Sequence, residues 1–184
     1  MTLYHISEEP SIKVFNPRPV GKQSPGLEGH AVWAIDKEHL VNYLLPRDCP
    51  RVTYFIDKHT SENDIKKFFA NTHAKRIIAV ETSWIKKILD HDLYMYEFDD
   101  SKFELVDRTA GYYISRESVV PVSDSKINNL LLLLLESSTE LRITPLLWKL
   151  REEVVHSTLG FSIIRMQNAQ EPPEGISNYY PLKK

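Results

Sequence analysis

The chain has one cysteine, Cys49, so no internal disulfide can form. That pattern suits a reducing compartment. Glycine-rich phosphate loops are missing: neither G-x-G-x-x-G nor G-x-x-x-x-G-K-[ST] occurs, which removes the standard dinucleotide and P-loop fingerprints. C-x-x-C and H-x-x-x-H are absent too. The seven histidines are scattered, and none has metal-ligand spacing. No metal site is expected, and a meeting of His30 with His39 is a weak basis for one. Charge of one sign is also lacking. With 23 basic and 25 acidic residues the net charge is −2, so no global field draws nucleic acid or anionic lipid. No long apolar run exists. The six leucines 130–135 fall far short of the ~20 residues that span a bilayer. The opening MTLYHISEEP has early acids and no apolar core, so a secretory leader is not expected. A cytoplasmic location follows as the expectation, without nucleic-acid or membrane partners.

What remains is an ordinary globular composition. The chain has 184 residues, 42% hydrophobic and 26% charged, enough to bury a core unaided. Residues 3–6 read as a strand. Residues 7–30 follow with Pro10, Pro17, Pro19, Pro25 and three glycines, too broken for regular structure. Strands are expected at 31–35, 52–56, 76–80, 93–98, 103–106, 112–115, 118–122 and 141–143. Asp36 reads as the N-cap of a helix bearing Leu40, Tyr43 and Leu44, which Pro46 ends. Ser61 caps a second helix carrying Ile65, Phe68 and Phe69, with Asp64 in the capping-box position. Helices are further expected at 83–89, at 127–136, and from Thr144 with Pro145 as its first residue. Residues 161–166 are strand or short helix. The order mixes βα units with runs of strands and shows no repeat. It predicts one α+β domain over 1–169, a mixed or antiparallel sheet with surrounding helices, and a loose tail from 170 to 184.

Several residues have two readings. Cys49 lies between Arg47 and Arg51. It is either an activated thiolate or a small apolar turn residue. The two arginines either present guanidinium groups to an anion or close a clasp with Asp48. The leucine run is a dimer seam or a deeply buried helix, and burial is the expectation. Glu81, Glu97 and Glu104 are expected as solvated strand-face acids.

The segment LYHIS at 3–7, the Pro/Gly-rich loop, and AVWAIDKEHLVNYL at 31–44 together resemble the first half of the ADP-ribosyltransferase-like fold. Members of that group open on a strand of the type L-Y-H-[GIV]-[ST]. They continue with V-[YW]-A-[ST]-D and a helix that carries a Tyr. The whole chain also resembles uncharacterised bacterial proteins in which VWAIDKEHLVNYLLPRDCPRV and FSIIRMQNA recur. The first resemblance implies NAD or a related nucleotide as substrate. It casts His5 as the ribose-holding residue, with Trp33 and Tyr43 as aromatic walls. Arg18, Arg47 or Arg116 would reach the pyrophosphate. The family's acidic strand is matched by AGYYISRE at 110–117. There Tyr112 stands where the catalytic Glu belongs, and Glu117 lies five residues on. The implied site is a cleft lined by His5, Trp33, Tyr43 and Tyr112. A non-enzymatic interaction or small-ligand module is the alternative. The sequence leaves the acceptor and the oligomeric state open.

Overall fold

A computed structural model describes residues 1–21, 26–108 and 110–174. In chain order its elements are β1 (Thr2–Ser7), β2 (Arg18–Pro19), β3 (His30–Ile35), β4 (Arg51–Phe55), α1 (Glu62–Phe69), β5 (Arg76–Glu81), α2 (Ile85–Asp90), β6 (Leu93–Asp99), β7 (Glu104–Asp107), β8 (Tyr112–Ser115), β9 (Ser123–Ile127), α3 (Leu130–Glu136), β10 (Thr139–Thr144), α4 (Trp148–Val155) and β11 (Gly160–Ile164). The fold is α+β, as the order of segments predicts. These elements gather into two compact units. One comprises Met1–Arg47 and His91–Leu130, the other Asp48–Asp90 and the chain from Leu131 onward.

The first unit is an antiparallel sheet ordered β7-β8-β3-β1-β6-β9, with β2 beside β3. Strand alternation sorts its side chains. Leu3, Val32, Ala34, Tyr96 and Phe98 face one way and pack with Phe15 and Val119. The Pro-rich segment packs Phe15 against this face and is tied down between Glu9 and Asn16. Tyr96 Oη donates to Glu9 O at 2.7 Å and accepts from Ile12 N at 3.0 Å. Phe15 bridges Val119. Ser118 Oγ donates to Asn16 Oδ1 at 2.7 Å. Pro19 is accommodated because β2 is a two-residue edge strand. The expected strand at 118–122 is reduced to that Val119 bridge. The strand proper is β9, whose polar S-D-S-K run shows no apolar alternation to reveal it and is held by pairing with β6.

The second unit is a mixed sheet ordered β10-β5-β4-β11. β10 runs parallel to β5, and the other pairs are antiparallel. Tyr54, on β4, is fully buried between Phe68 and Phe69, each 5.7 Å away ring to ring. Its hydroxyl accepts from Arg142 Nη1 at 2.8 Å. Burial pushes its pKa up to about 12. Ser61 caps α1, its Oγ accepting from Asp64 N at 3.2 Å. The reciprocal half of the capping box is rerouted. Ser61 N donates to Thr158 Oγ1, while the Asp64 carboxylate accepts from Thr158 N and Thr158 Oγ1. The cap therefore ties α1 to the turn after α4.

Three expectations are corrected here. α4 begins at Trp148, not at Pro145. Thr144 closes β10, and its hydroxyl donates to Leu146 O rather than capping a helix. The leucine helix α3 is not deeply buried: Leu134 is 1% exposed, but Leu131 and Leu132 are 39% and 50% exposed. Six consecutive leucines cover every side of a helix, and packing on one side leaves the others open. Glu81 is not solvated but fully buried. Gln170 is tied at both backbone atoms, its N–H to Glu81 Oε2 at 3.0 Å and its carbonyl accepting from Trp148 Nε1 at 2.6 Å. The expected loose tail beyond residue 174 lies outside the described residues. Among the described residues no helix is long and apolar enough to cross a membrane.

Candidate functional site

On β3 and β8, Trp33 pairs with Ile114 and Ile35 with Tyr112. Alternation puts Trp33, Ile35 and Tyr112 on the face opposite the Phe15 cluster. The Trp33 and Tyr112 rings meet edge to face at 5.5 Å. The chain then leaves β3 at Asp36, whose N–H donates to Gly111 O at 3.2 Å. Asp36 Oδ1 accepts twice, from His39 N at 2.9 Å and from His39 Nδ1 at 2.8 Å. The expected helix is therefore a tight turn followed by one 3-10 turn over Leu40–Tyr43. Asp36 is not its N-cap: that position is His39, which has no side-chain cap bond, and the Asp36 carboxylate takes the backbone N–H and the ring of His39 instead. That turn delivers Tyr43 to Tyr112, with ring centroids 6.3 Å apart and a short hydrogen bond between the two hydroxyls. Trp33, Tyr43 and Tyr112 are all half-buried. Asp36 and His39 side chains are 23% and 11% exposed.

Gly111 makes this packing possible. Its φ is +68°, and a Cβ there would lie 2.3 Å from His39 Nδ1 and 2.6 Å from Asp36 Oδ2. The Asp36–His39 pair thus presses directly on the backbone that carries Tyr112.

His5 is elsewhere. It pairs with Tyr96 on β6, so its ring lies on the reverse face and meets Phe15 edge-on at 5.0 Å. The ladder between β1 and β3 registers only Tyr4 with Ile35, against six pairs between β1 and β6. Where that ladder stops, His5 Nδ1 bonds to Trp33 O at 2.8 Å and satisfies a strand carbonyl. Burial lowers its pKa. The Trp33 bond opposes that shift, while the charges of Arg47 and Arg18 add to it. The four-residue cleft therefore divides into Trp33, Tyr43 and Tyr112 on one face and His5, within the fields of Arg18 and Arg47, on the other.

Two further sequence candidates are committed to structure. Arg116 Nη1 donates to Glu28 O at 2.6 Å and His30 O at 3.0 Å, bracing the Pro/Gly-rich segment. Glu117 is 74% exposed beyond the end of β8, with Lys102 at 3.6 Å. Neither joins the aromatic group. Sequence alone does not reveal the Asp36–His39 pair, because an N-cap role accounts for an aspartate at the end of a strand. Its i,i+3 spacing before a tyrosine was the available signal.

In the second unit Cys49 is fully buried, and burial raises its thiol pKa to about 11 against the smaller opposite pull of Arg51. Arg51 is itself 2% exposed and donates to Cys49 O at 3.1 Å. Asp48 faces Arg165 at 3.8 Å, and its carbonyl accepts from Asn168 Nδ2 at 2.8 Å. The loop after Arg47 is a clasp, closed by Arg51 on Cys49 O and by residues 165–168 on Asp48. Cys49 should stay unmodified by iodoacetamide at neutral pH and alkylate only in denaturant, as read by mass spectrometry. Labelling of the native protein within minutes would contradict the burial. An open depression of about 380 Å³ in the same unit is lined by Asp64, Lys67, Glu152, Glu153, His156 and Ser157. Its Lys67 already pairs with Glu153 at 3.2 Å. Among the described residues no three His, Cys, Asp or Glu side chains are grouped to hold a metal ion.

Residues 4–169 match the model of a family described as a family of unknown function, DUF6886. The chain belongs to that family. No curated protein and no solved structure matches it. The DUF6886 match takes in both units and all of the aromatic group, and it attaches no activity to either.

Proposed function

We propose that this DUF6886 protein binds a nucleotide, with NAD as the candidate, on the face of the first unit that carries Trp33, Tyr43 and Tyr112. The observation that carries this reading is the convergence of three half-buried aromatic side chains, with a carboxylate–imidazole pair packed on the Gly111 backbone that leads into Tyr112. Aromatic rings give a flat base a stacking surface, and hydroxyls, carboxylate and imidazole give a sugar hydrogen-bonding partners. The resemblance of LYHIS and VWAID to the ADP-ribosyltransferase-like fold supports the choice of NAD. Transfer chemistry of the family type has weaker support. It needs a carboxylate at the reacting ribose, and Glu117 is turned to solvent while the Asp36 carboxylate is taken up by His39.

A thermal-shift titration with NAD, ADP-ribose and nicotinamide tests the reading. Ligand at 100 times its Kd should stabilise the protein by about 2.7 kcal/mol. Tyr112→Ala and Trp33→Ala should abolish the shift, and His5→Ala should leave it. No shift for the native protein at millimolar NAD and ADP-ribose defeats the proposal. Loss of the shift in His5→Ala alone would move the site to the reverse face.

A further inference from the structure

The Asp36–His39 pair has the chemistry of an oriented base. A carboxylate accepts and does not donate, so the 2.8 Å contact places a proton on His39 Nδ1, and in the neutral form of the ring Nε2 is the basic nitrogen. None of the described residues bonds to Nε2. Three contacts fix the ring: its own backbone N–H on the same carboxylate oxygen at 2.9 Å, the ring bond itself, and the Gly111 backbone pressed against Nδ1. An N-cap needs only the first of these. The residue after Gly111 is Tyr112 and His39 precedes the turn that carries Tyr43, so the base packs on backbone that leads directly into the aromatic group.

We infer that His39 is a general base that activates water for hydrolysis of the ligand's N-glycosidic bond, with Asp36 as its positioning residue. This rests on the nucleotide reading above. In the step, a water oxygen lone pair forms the new bond to the anomeric carbon. The carbon–nitrogen bond breaks, and its electron pair leaves with the nicotinamide. The water proton passes to His39 Nε2, and Asp36 stabilises the imidazolium until the proton is released to solvent. With NAD as substrate the products are ADP-ribose, nicotinamide and one proton.

The test incubates the full-length protein with NAD and follows nicotinamide by chromatography. NAD affinity is measured on the same samples by calorimetry. The native protein should release nicotinamide. His39→Ala should lose at least about 10²-fold in rate, the usual share of a general base, while binding NAD within a few-fold of the native protein. Added imidazole should restore part of that rate, which a purely structural role of the ring would not allow. His39→Gln serves if the alanine variant melts early. Asp36→Asn should lower kcat with KM little changed. It should also move the His39 ring proton from Nδ1 to Nε2 in nitrogen-resolved NMR spectra, because the amide can donate to Nδ1. NAD binding without nicotinamide release overturns this inference and leaves the binding proposal standing. Release at native rate from both His39 variants overturns it as well. Absence of NAD binding removes the reading on which it rests.

Discussion

Gly111→Ala should cost the first unit about 2–5 kcal/mol, more than one added methyl group usually does. Two terms add. The residue has φ +68°, and an L side chain in that region costs roughly 1–2 kcal/mol. The new Cβ would also stand 2.3 Å from His39 Nδ1 and 2.8 Å from Asp36 Cγ. Overpacking of that kind typically costs about 1–3 kcal/mol. Neither neighbour yields cheaply, because each is held by the other through hydrogen bonds of 2.8 and 2.9 Å. Relief requires the Asp36 turn to open, and with it the path of the chain to Tyr43. NAD-dependent stabilisation should vanish together with the stability. Urea denaturation measures the first effect and the ligand titration the second. Combining Gly111→Ala with His39→Ala should recover part of the loss, since the closest clash disappears, although Asp36 remains at 2.6 Å. A loss under 1 kcal/mol for the single variant would mean that the turn relaxes without strain, and would weaken the case for a fixed imidazole.

The parts of this fold legible from sequence are those governed by local rules. β1, β3, β4, β5, β6 and β8 announce themselves by β-branched and aromatic residues between breakers, and Ser61 announces a helix start. The parts that were not legible depend on what lies far away in the chain. The S-D-S-K run is a strand only because β6 offers it an edge. Asp64 looks complete as a capping-box acid, yet its carboxylate serves Thr158, 94 residues on. Glu81 reads as a strand-face acid because its burial is created by Leu147 and Gln170. At the candidate site, Trp33, Tyr43 and Tyr112 were found by resemblance and do come together. His5 carried the same resemblance, but alternation on β1 sends it to the opposite face. A short motif specifies residue order, and the register of one strand pair decides which side each residue serves.

The buried carboxylate of Glu81 should be the most costly polar group to remove from the second unit. It ends β5 with no exposed surface. Its Oε1 accepts from Leu147 N at 3.4 Å, just ahead of α4, and its Oε2 from Gln170 N at 3.0 Å. One side chain therefore satisfies two backbone donors from two distant segments. Glu81→Leu keeps much of the volume and strands both donors, each worth about 1–3 kcal/mol when left unsatisfied in the interior. The expected loss is about 2–6 kcal/mol for the two donors together, a large part of the roughly 5–15 kcal/mol that holds an ordinary domain together. Glu81→Gln should lose less, because its carbonyl oxygen still accepts one N–H while its amide faces the other. Chemical denaturation gives the ranking native, then Gln, then Leu. Near-native stability of the leucine variant would mean that Leu147 and Gln170 find other acceptors, and that Glu81 is buried for a reason other than joining the end of β5 to the chain at α4 and at Gln170.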